Sequence, residues 1–189
     1  MNSTTDPAAI RTVAVIGSGN SGRNFALACA TAGFRVVLED LIPGNIRHAQ
    51  EALAGAALSP RGSLEFATTI DSAVRDADLV VDFVPDELES KLELFCLVDR
   101  MAPPRTLLLT PSDALSITDL ASCTYRGEQC FAVRGDFADV ARGGVVRLLH
   151  PAETSESSLH SVAEFLRAVG SVVEIAVDQD APMLVKNLR

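Results

Sequence analysis

The chain has 189 residues, 48% hydrophobic, 22% charged and 5% aromatic, with a formal net charge of -9. A chain of this length buries about 70% of its unfolded surface, so it makes one globular domain without a disulfide or metal staple and is too short for a second domain of similar size. The negative balance has no local Lys/Arg cluster to offset it, which excludes nucleic acid and anionic membrane as partners.

Residues 1–10 read as a disordered lead-in, because MNSTTDPAAI is polar and contains no apolar core of a targeting segment. From residue 12 a strand and a helix alternate. TVAVIG (12–17) is a β-branched run ending in Gly, and the spacing predicts a helix over 21–33 that stops at Gly33. A strand follows at 34–40, a helix at 42–56 with Pro43 near its start, a strand at 63–68, a helical turn at 70–76 and a strand at 77–84. Leu88, Leu92, Phe95 and Leu97 or Val98 mark a helix over 86–101, and TLLLT (106–110) is the fifth strand. Beyond it the pattern gives a helix near 116–123, strands at 129–134 and 145–150, a helix at 155–169 and a strand at 171–177. Strands that read as continuous apolar runs between helices predict an α/β doubly wound, mostly parallel sheet in a single domain over 11–189.

Fourteen of the sixteen basic residues are Arg, so the two lysines, Lys91 and Lys186, stand out. Cys29, Cys96, Cys123 and Cys130 lack CxxC spacing and read as reduced thiols of a cytoplasmic protein. His48, His150 and His160 are scattered and have no metal-ligand spacing. No run approaches the roughly 18 apolar residues of a membrane span.

The chemistry concentrates in VIGSGNSG, where Gly17, Gly19 and Gly22 form a GxGxxG pattern between the first strand and the first helix. Glycines there permit a tight turn and let a pyrophosphate approach the backbone N–H groups of the helix start, so Ser18, Asn20 and Ser21 belong to the same cradle. Asp40 ends the second strand 18 residues after Gly22, where a carboxylate takes the ribose hydroxyls and repels a 2′-phosphate. The pattern therefore predicts a Rossmann-type dinucleotide domain that takes NAD rather than NADP, with Glu39 read as a solvated neighbour.

With VAVIGSGNSG, VVLED, ADLVVDFVPDELESKLELF and TLLLTPSDALSITDLA, the sequence resembles the NAD-binding domain of the 3-hydroxyacyl-CoA dehydrogenases, and CFAV, VVRLL and DAPMLVKNLR extend the resemblance along nearly the whole chain. The resemblance implies that Asp86 and Lys91 join Gly17, Gly19, Gly22 and Asp40 on the cofactor, with Lys91 at the nicotinamide-side ribose. By pattern alone, Lys91 reads equally as an i,i+4 partner of Glu87 on a solvated helix face. The resemblance also places Asn187 at a family active-site Asn.

The family's catalytic side does not carry over. Where its pattern has Asn and Ser, this chain has Pro111 and Asp113. At the general acid/base His stands Gly135, or Arg134 with a one-residue shift, and Arg147 stands at the acid that orients it. Arg cannot accept the proton that leaves an alcohol as hydride departs. His150, at a strand end before Pro151, is a weak substitute. Only 36 residues separate Asp40 from ADLVV, too few for the hairpin that clasps CoA in the family.

Two readings of the altered site stand. In the first, the chain is an NAD(H)-dependent oxidoreductase of a 3-hydroxyacyl or 3-oxoacyl thioester, carrier-bound or smaller, in fatty acid metabolism. Asp113, Ser112 and Asn187 then line the cleft, and Arg134 or Arg147 holds an anionic group. In the second, it is a non-catalytic NAD-binding sensor or assembly subunit. Either way, the apolar tail around Met183, Leu184, Val185 and Leu188 packs back on its own domain or is covered by a second copy or a partner chain.

Overall fold

Buried parallel strands must be apolar on both faces, and four five- or four-residue runs satisfy this at the centre of the sheet. In the computed structural model, which describes residues 9–135 and 143–179, these are β1 (Thr12–Ile16), β2 (Arg35–Glu39), β4 (Leu79–Asp82) and β5 (Leu107–Pro111). The remaining described strands are β3 (Ser63–Ala67), β6 (Cys130–Arg134), β7 (Val145–His150) and β8 (Val172–Val177). They form one sheet in the order β3-β2-β1-β4-β5-β6-β7-β8. Strands pair in parallel except β6 with β7, which run antiparallel, so the doubly wound, mostly parallel expectation holds.

Helices cover both faces. On one lie α1 (Asn20–Ala32), α2 (Pro43–Leu53) and α6 (Glu156–Val169), which bury Phe25, Cys29, Ala49, Phe165 and Leu166 against Val13, Val15, Leu38 and Val81. On the other lie α3 (Ile70–Val74), α4 (Leu88–Met101) and α5 (Ile117–Ala121), packed through Val74, Leu94, Phe95 and Ile117 onto Ala14, Ile16, Val80 and Leu108. Two glycines, Gly33 and Gly170, stop α1 and α6 in left-handed conformations and donate back to the last turn. The helix predicted over 42–56 ends at Leu53, short of Gly55 at φ +76°.

Strand order reverses between β1 and β4, and the crevice outside the carboxyl ends of strands at such a switch point is where open α/β sheets bind ligands. Because β7 is antiparallel, His150 ends its strand near the amino end of β6, away from that crevice. The His150 ring is buried, with Nδ1 2.8 Å from the Pro151 carbonyl oxygen. Ile10, inside the predicted lead-in, packs against the α1 face. The predicted tail contacts and Asn187 lie outside the described residues.

Candidate functional site: the cleft at the carboxyl ends of β1, β2 and β4

Each glycine of the turn after β1 has a separate reason. Gly17 sits at φ +98°, a conformation that side chains rarely adopt, and its N–H donates to the Glu39 carbonyl at 2.8 Å. A Cβ on Gly22 would meet the Gly17 carbonyl oxygen at 1.9 Å, so only Gly lets α1 start so close to the strand. Gly19 has open space where its Cβ would be. It is also the N-cap of α1 and supplies no side-chain acceptor, and the first turn has no acidic residue. The amides of that turn therefore face a cleft with nothing bulky in front of them, which is the cradle a pyrophosphate requires.

Asp40 holds this turn from the end of β2. Its Oδ2 accepts from the Ser18 N–H at 3.1 Å and from the Ser18 hydroxyl at 2.9 Å. Its Oδ1 accepts from the Ile42 N–H at 2.9 Å, and the Asn45 amide donates to both oxygens at 3.1 Å. Partial burial pushes the Asp40 carboxyl up, but the hydrogen bonds from Ile42, Ser18 and Asn45 outweigh it and hold the group below its usual range. The Ser18 hydroxyl and the Asn45 amide are the partners that a ribose diol could replace, since the two backbone bonds belong to the turn itself.

Arg23, which the sequence reading passed over, belongs to the same turn. It donates to the Ser18 carbonyl at 2.8 Å and to Asn20 Oδ1, bringing a cation to the cradle from the first turn of α1. Its available signal was that it is the one Arg within the first turn after GxGxxG.

A cleft of about 640 Å³ opens beside this turn, within the range of small-molecule sites. Gly17 and Gly19 form one wall, Asp40, Ile42 and Asn45 a second, and Val84 and Pro85 with the start of α4 a third. Glu39 also lines it. This corrects the expectation of a solvated Glu39, which is 1% exposed. Side chains alternate along a strand, so residue 39 shares a face with Val37, under α3 and α4. Burial, then the neighbouring Asp40 charge, raises the Glu39 carboxyl to about 7.

Lys91 is not the solvated partner of Glu87 on an exposed helix face. It is fully buried, and its ammonium donates to Asp82 Oδ1 and to Thr110 Oγ1, both at 2.8 Å, tying α4 to β4 and β5 beneath the cleft floor. Asp86 is exposed, and its Oδ2 accepts from the Asp113 N–H at 3.1 Å, joining the turns after β4 and β5.

Around those turns, Ser112 is buried, with Oγ accepting from the Leu115 N–H at 3.0 Å, while Asp113 is exposed. Arg134 and Arg147 oppose each other in register across β6 and β7, and Arg147 lies 3.9 Å from Glu174. None of the three His lies at the turns after β4, β5 or β6. All four cysteines are free. Burial raises Cys29 well above its ordinary value and Cys123 and Cys130 to about 12, so these thiols stay protonated and are not nucleophiles. Among the described residues no cluster could hold a metal ion, and no helix is long and apolar enough to cross a membrane.

A Rossmann-type dinucleotide-binding domain is the class that this glycine turn, this acid and this strand order define. The family model for the 3-hydroxyacyl-CoA dehydrogenase, NAD binding domain, matches residues 12–180, and the chain belongs to that family. The mitochondrial hydroxyacyl-coenzyme A dehydrogenase of Sus scrofa is 30% identical over 180 residues, covering 85% of this chain and 57% of that protein. L-carnitine dehydrogenase of Burkholderia mallei is 29% identical over 171 residues, covering 85% and 53%. Among solved structures, a diketoreductase superposes with a TM-score of 0.80 at 26% identity, over 96% of this chain and 69% of that one. The (S)-3-hydroxybutyryl-CoA dehydrogenase of Ralstonia eutropha gives 0.80 at 20% identity, over 90% and 65%, and shows the fold. The chain thus spans a little over half the length of these curated relatives, and the part it spans is their NAD-binding domain.

Proposed function

We propose that the chain is the NAD(H)-binding unit of an oxidoreductase that interconverts a 3-hydroxyacyl and a 3-oxoacyl thioester, or a smaller hydroxy/oxo pair. The observation that carries this reading is the fit of the glycine turn to a dinucleotide: Gly22 leaves no room for a Cβ, Gly19 leaves the helix start open, and Asp40 stands ionised at the tip of β2. When bound, NAD supplies the hydride acceptor. The N-terminal amides of α1 and Arg23 hold the pyrophosphate, Asp40 takes the adenosine ribose diol, and its charge turns away a 2′-phosphate.

On the opposite side of the switch point, the proton that leaves an alcohol needs an acceptor. Asp113 is the exposed carboxylate at the turn after β5 and takes that role, with its neighbour Ser112 as a hydrogen-bonding group, and the family resemblance assigns Asn187 to the same site. Arg134 and Arg147, opposed on neighbouring strands, hold an anionic group of the substrate.

A second reading, a non-catalytic NAD sensor or assembly subunit, is favoured by the site's spent groups. The Ser112 oxygen accepts a backbone amide, Arg147 has Glu174 beside it, and His150 ends β7 near the amino end of β6, away from the crevice.

Titration with NADH, followed by its own fluorescence, tests both readings; the chain has no Trp to interfere. Saturable binding is expected. NADH consumption across a panel of 3-oxoacyl thioesters then separates them. Under the first reading Asp113→Asn lowers turnover by about 10²-fold or more while leaving NADH affinity unchanged. Saturation with NADH but no turnover on any of the panel would overturn the first reading and leave the second.

A further inference from the structure

The Glu39 carboxyl is one strand residue before the acid that meets the ribose, yet it points to the opposite face of the sheet. Its side chain is almost fully buried, its Oε1 has no hydrogen-bond partner, and it lines the cleft. The walls around it are apolar: Ile16 from β1, Ile70 from α3, and Leu94 and Leu97 from α4. A buried polar atom left without a partner is destabilising, so an unpartnered oxygen on the wall of an apolar cleft is placed for a ligand that supplies the missing bond.

The position of the cleft limits what that ligand can be. The ribose acid, Asp40, and the pyrophosphate cradle stand on one side, so the apolar remainder between β2, α3 and α4 is where the base of the adenosine half lies; this step rests on the NAD reading above. Adenine presents a ring-nitrogen acceptor beside an exocyclic amine donor on its edge. A neutral carboxylic acid presents the complementary pair, one O–H and one carbonyl oxygen, whereas a carboxylate only accepts.

We propose that Glu39 is the residue that reads the adenine base, its carboxyl in the acid form giving an O–H to a ring nitrogen and receiving the exocyclic N–H on its carbonyl oxygen. The charged groups facing the cleft support the acid form. They are Asp40, next in the chain, and Glu93 on α4, both acidic, while β1, the β4 turn and α3 contribute Ile16, Val84 and Ile70, and among the described residues no Lys or Arg lines the cleft. Consistent with this, burial and the neighbouring Asp40 charge push the carboxyl up to about 7.

The test is NADH affinity measured from about one unit below to about one unit above that value, for the wild-type chain, Glu39→Gln and Glu39→Leu. Reduced nicotinamide mononucleotide, which lacks the adenosine half, serves as the control ligand. The wild type should weaken as pH rises through about 7. Glu39→Gln keeps a donor and an acceptor at all pH values and should bind tightly with a flat profile. Glu39→Leu should bind about tenfold more weakly, also with a flat profile, the loss expected for one or two hydrogen bonds. The control ligand should not respond to either substitution. Wild-type affinity in Glu39→Leu, or a pH dependence that survives in Glu39→Gln, overturns the assignment while leaving NAD binding intact. Failure of the wild type to bind NADH at any pH overturns the NAD reading together with this one.

Discussion

Asp40 carries two loads that substitution can separate. As an acceptor for Ser18, Ile42 and Asn45 it fixes the glycine turn, and under the proposed NAD reading its charge turns away a 2′-phosphate. Asp40→Asn retains one oxygen acceptor but loses the charge. NADH affinity should fall by about tenfold, and the preference for NADH over NADPH should shrink by more than that, because charge repulsion no longer opposes the extra phosphate. Parallel titration with the two cofactors checks this, and a preference unchanged in the variant would remove Asp40 from the ribose. This residue was singled out from the sequence because its signal is local: a β-branched run, a glycine turn and an acid at a fixed distance. Glu39 was not, since its neighbour in sequence supplied the obvious role. Its burial comes from α3 and α4, which arrive from 30 to 60 residues further along the chain. The parity of the strand was the usable clue: residues 37 and 39 share a face, and Val37 is buried.

At the scale of elements, α4 shows how a periodicity can be read correctly and its meaning missed. Leu88 and Leu92, which mark the helical period in the sequence, are half-buried, and the buried stripe is Lys91, Leu94, Phe95 and Val98. That stripe is an i, i+3, i+4, i+7 series, so the helical period itself puts Lys91 inside, although its charge argued for the surface. The charge is accommodated because Asp82 and Thr110, at the ends of neighbouring strands, converge on its ammonium. Burial still raises the Asp82 carboxyl despite the adjacent Lys91, the sign of a pair whose desolvation is only partly offset. At the other end of α4, Arg126 pairs with Asp99 at 2.8 Å and donates to the carbonyls of Asp99, Ala102 and Pro103, closing the helix terminus. The helix that forms the third wall of the cleft is thus pinned at both ends by buried cations. Lys91→Ala should destabilise the fold by about 3–5 kcal/mol, because it leaves Asp82 buried and unpaired, whereas Lys91→Met combined with Asp82→Asn should recover most of that loss. Urea denaturation of the two variants measures the difference. Equal losses would show that the pair contributes through packing rather than charge.

For the whole molecule, the sheet order sets a gradient from centre to edges. Strands β1, β4 and β5 are flanked on both sides and buried on both faces, whereas β3 and β8 are edges with half-exposed residues, Val172, Ile175 and Val177 among them. Exchange of backbone amides should follow that gradient, slowest in the central strands and fastest in β3 and β8, because edge hydrogen bonds open without disturbing the core. The dinucleotide reading adds a second, independent pattern. NADH can protect only what it touches or orders, and the cleft is built from the turn after β1, the β2–α2 turn and the turn after β4. Addition of NADH should therefore slow exchange at residues 17–22, 40–46 and 83–90 and leave β8 unchanged, since β8 sits at the far end of the sheet from the switch point. Strand parity adds one more site: protection at 70–74, in α3, appears only when the base lies against the Glu39 face, where Ile70 forms the wall. Protection confined to the glycine turn would place the adenosine half outside the cleft, and protection concentrated in β7 and β8 would move the whole binding site to the opposite end of the molecule.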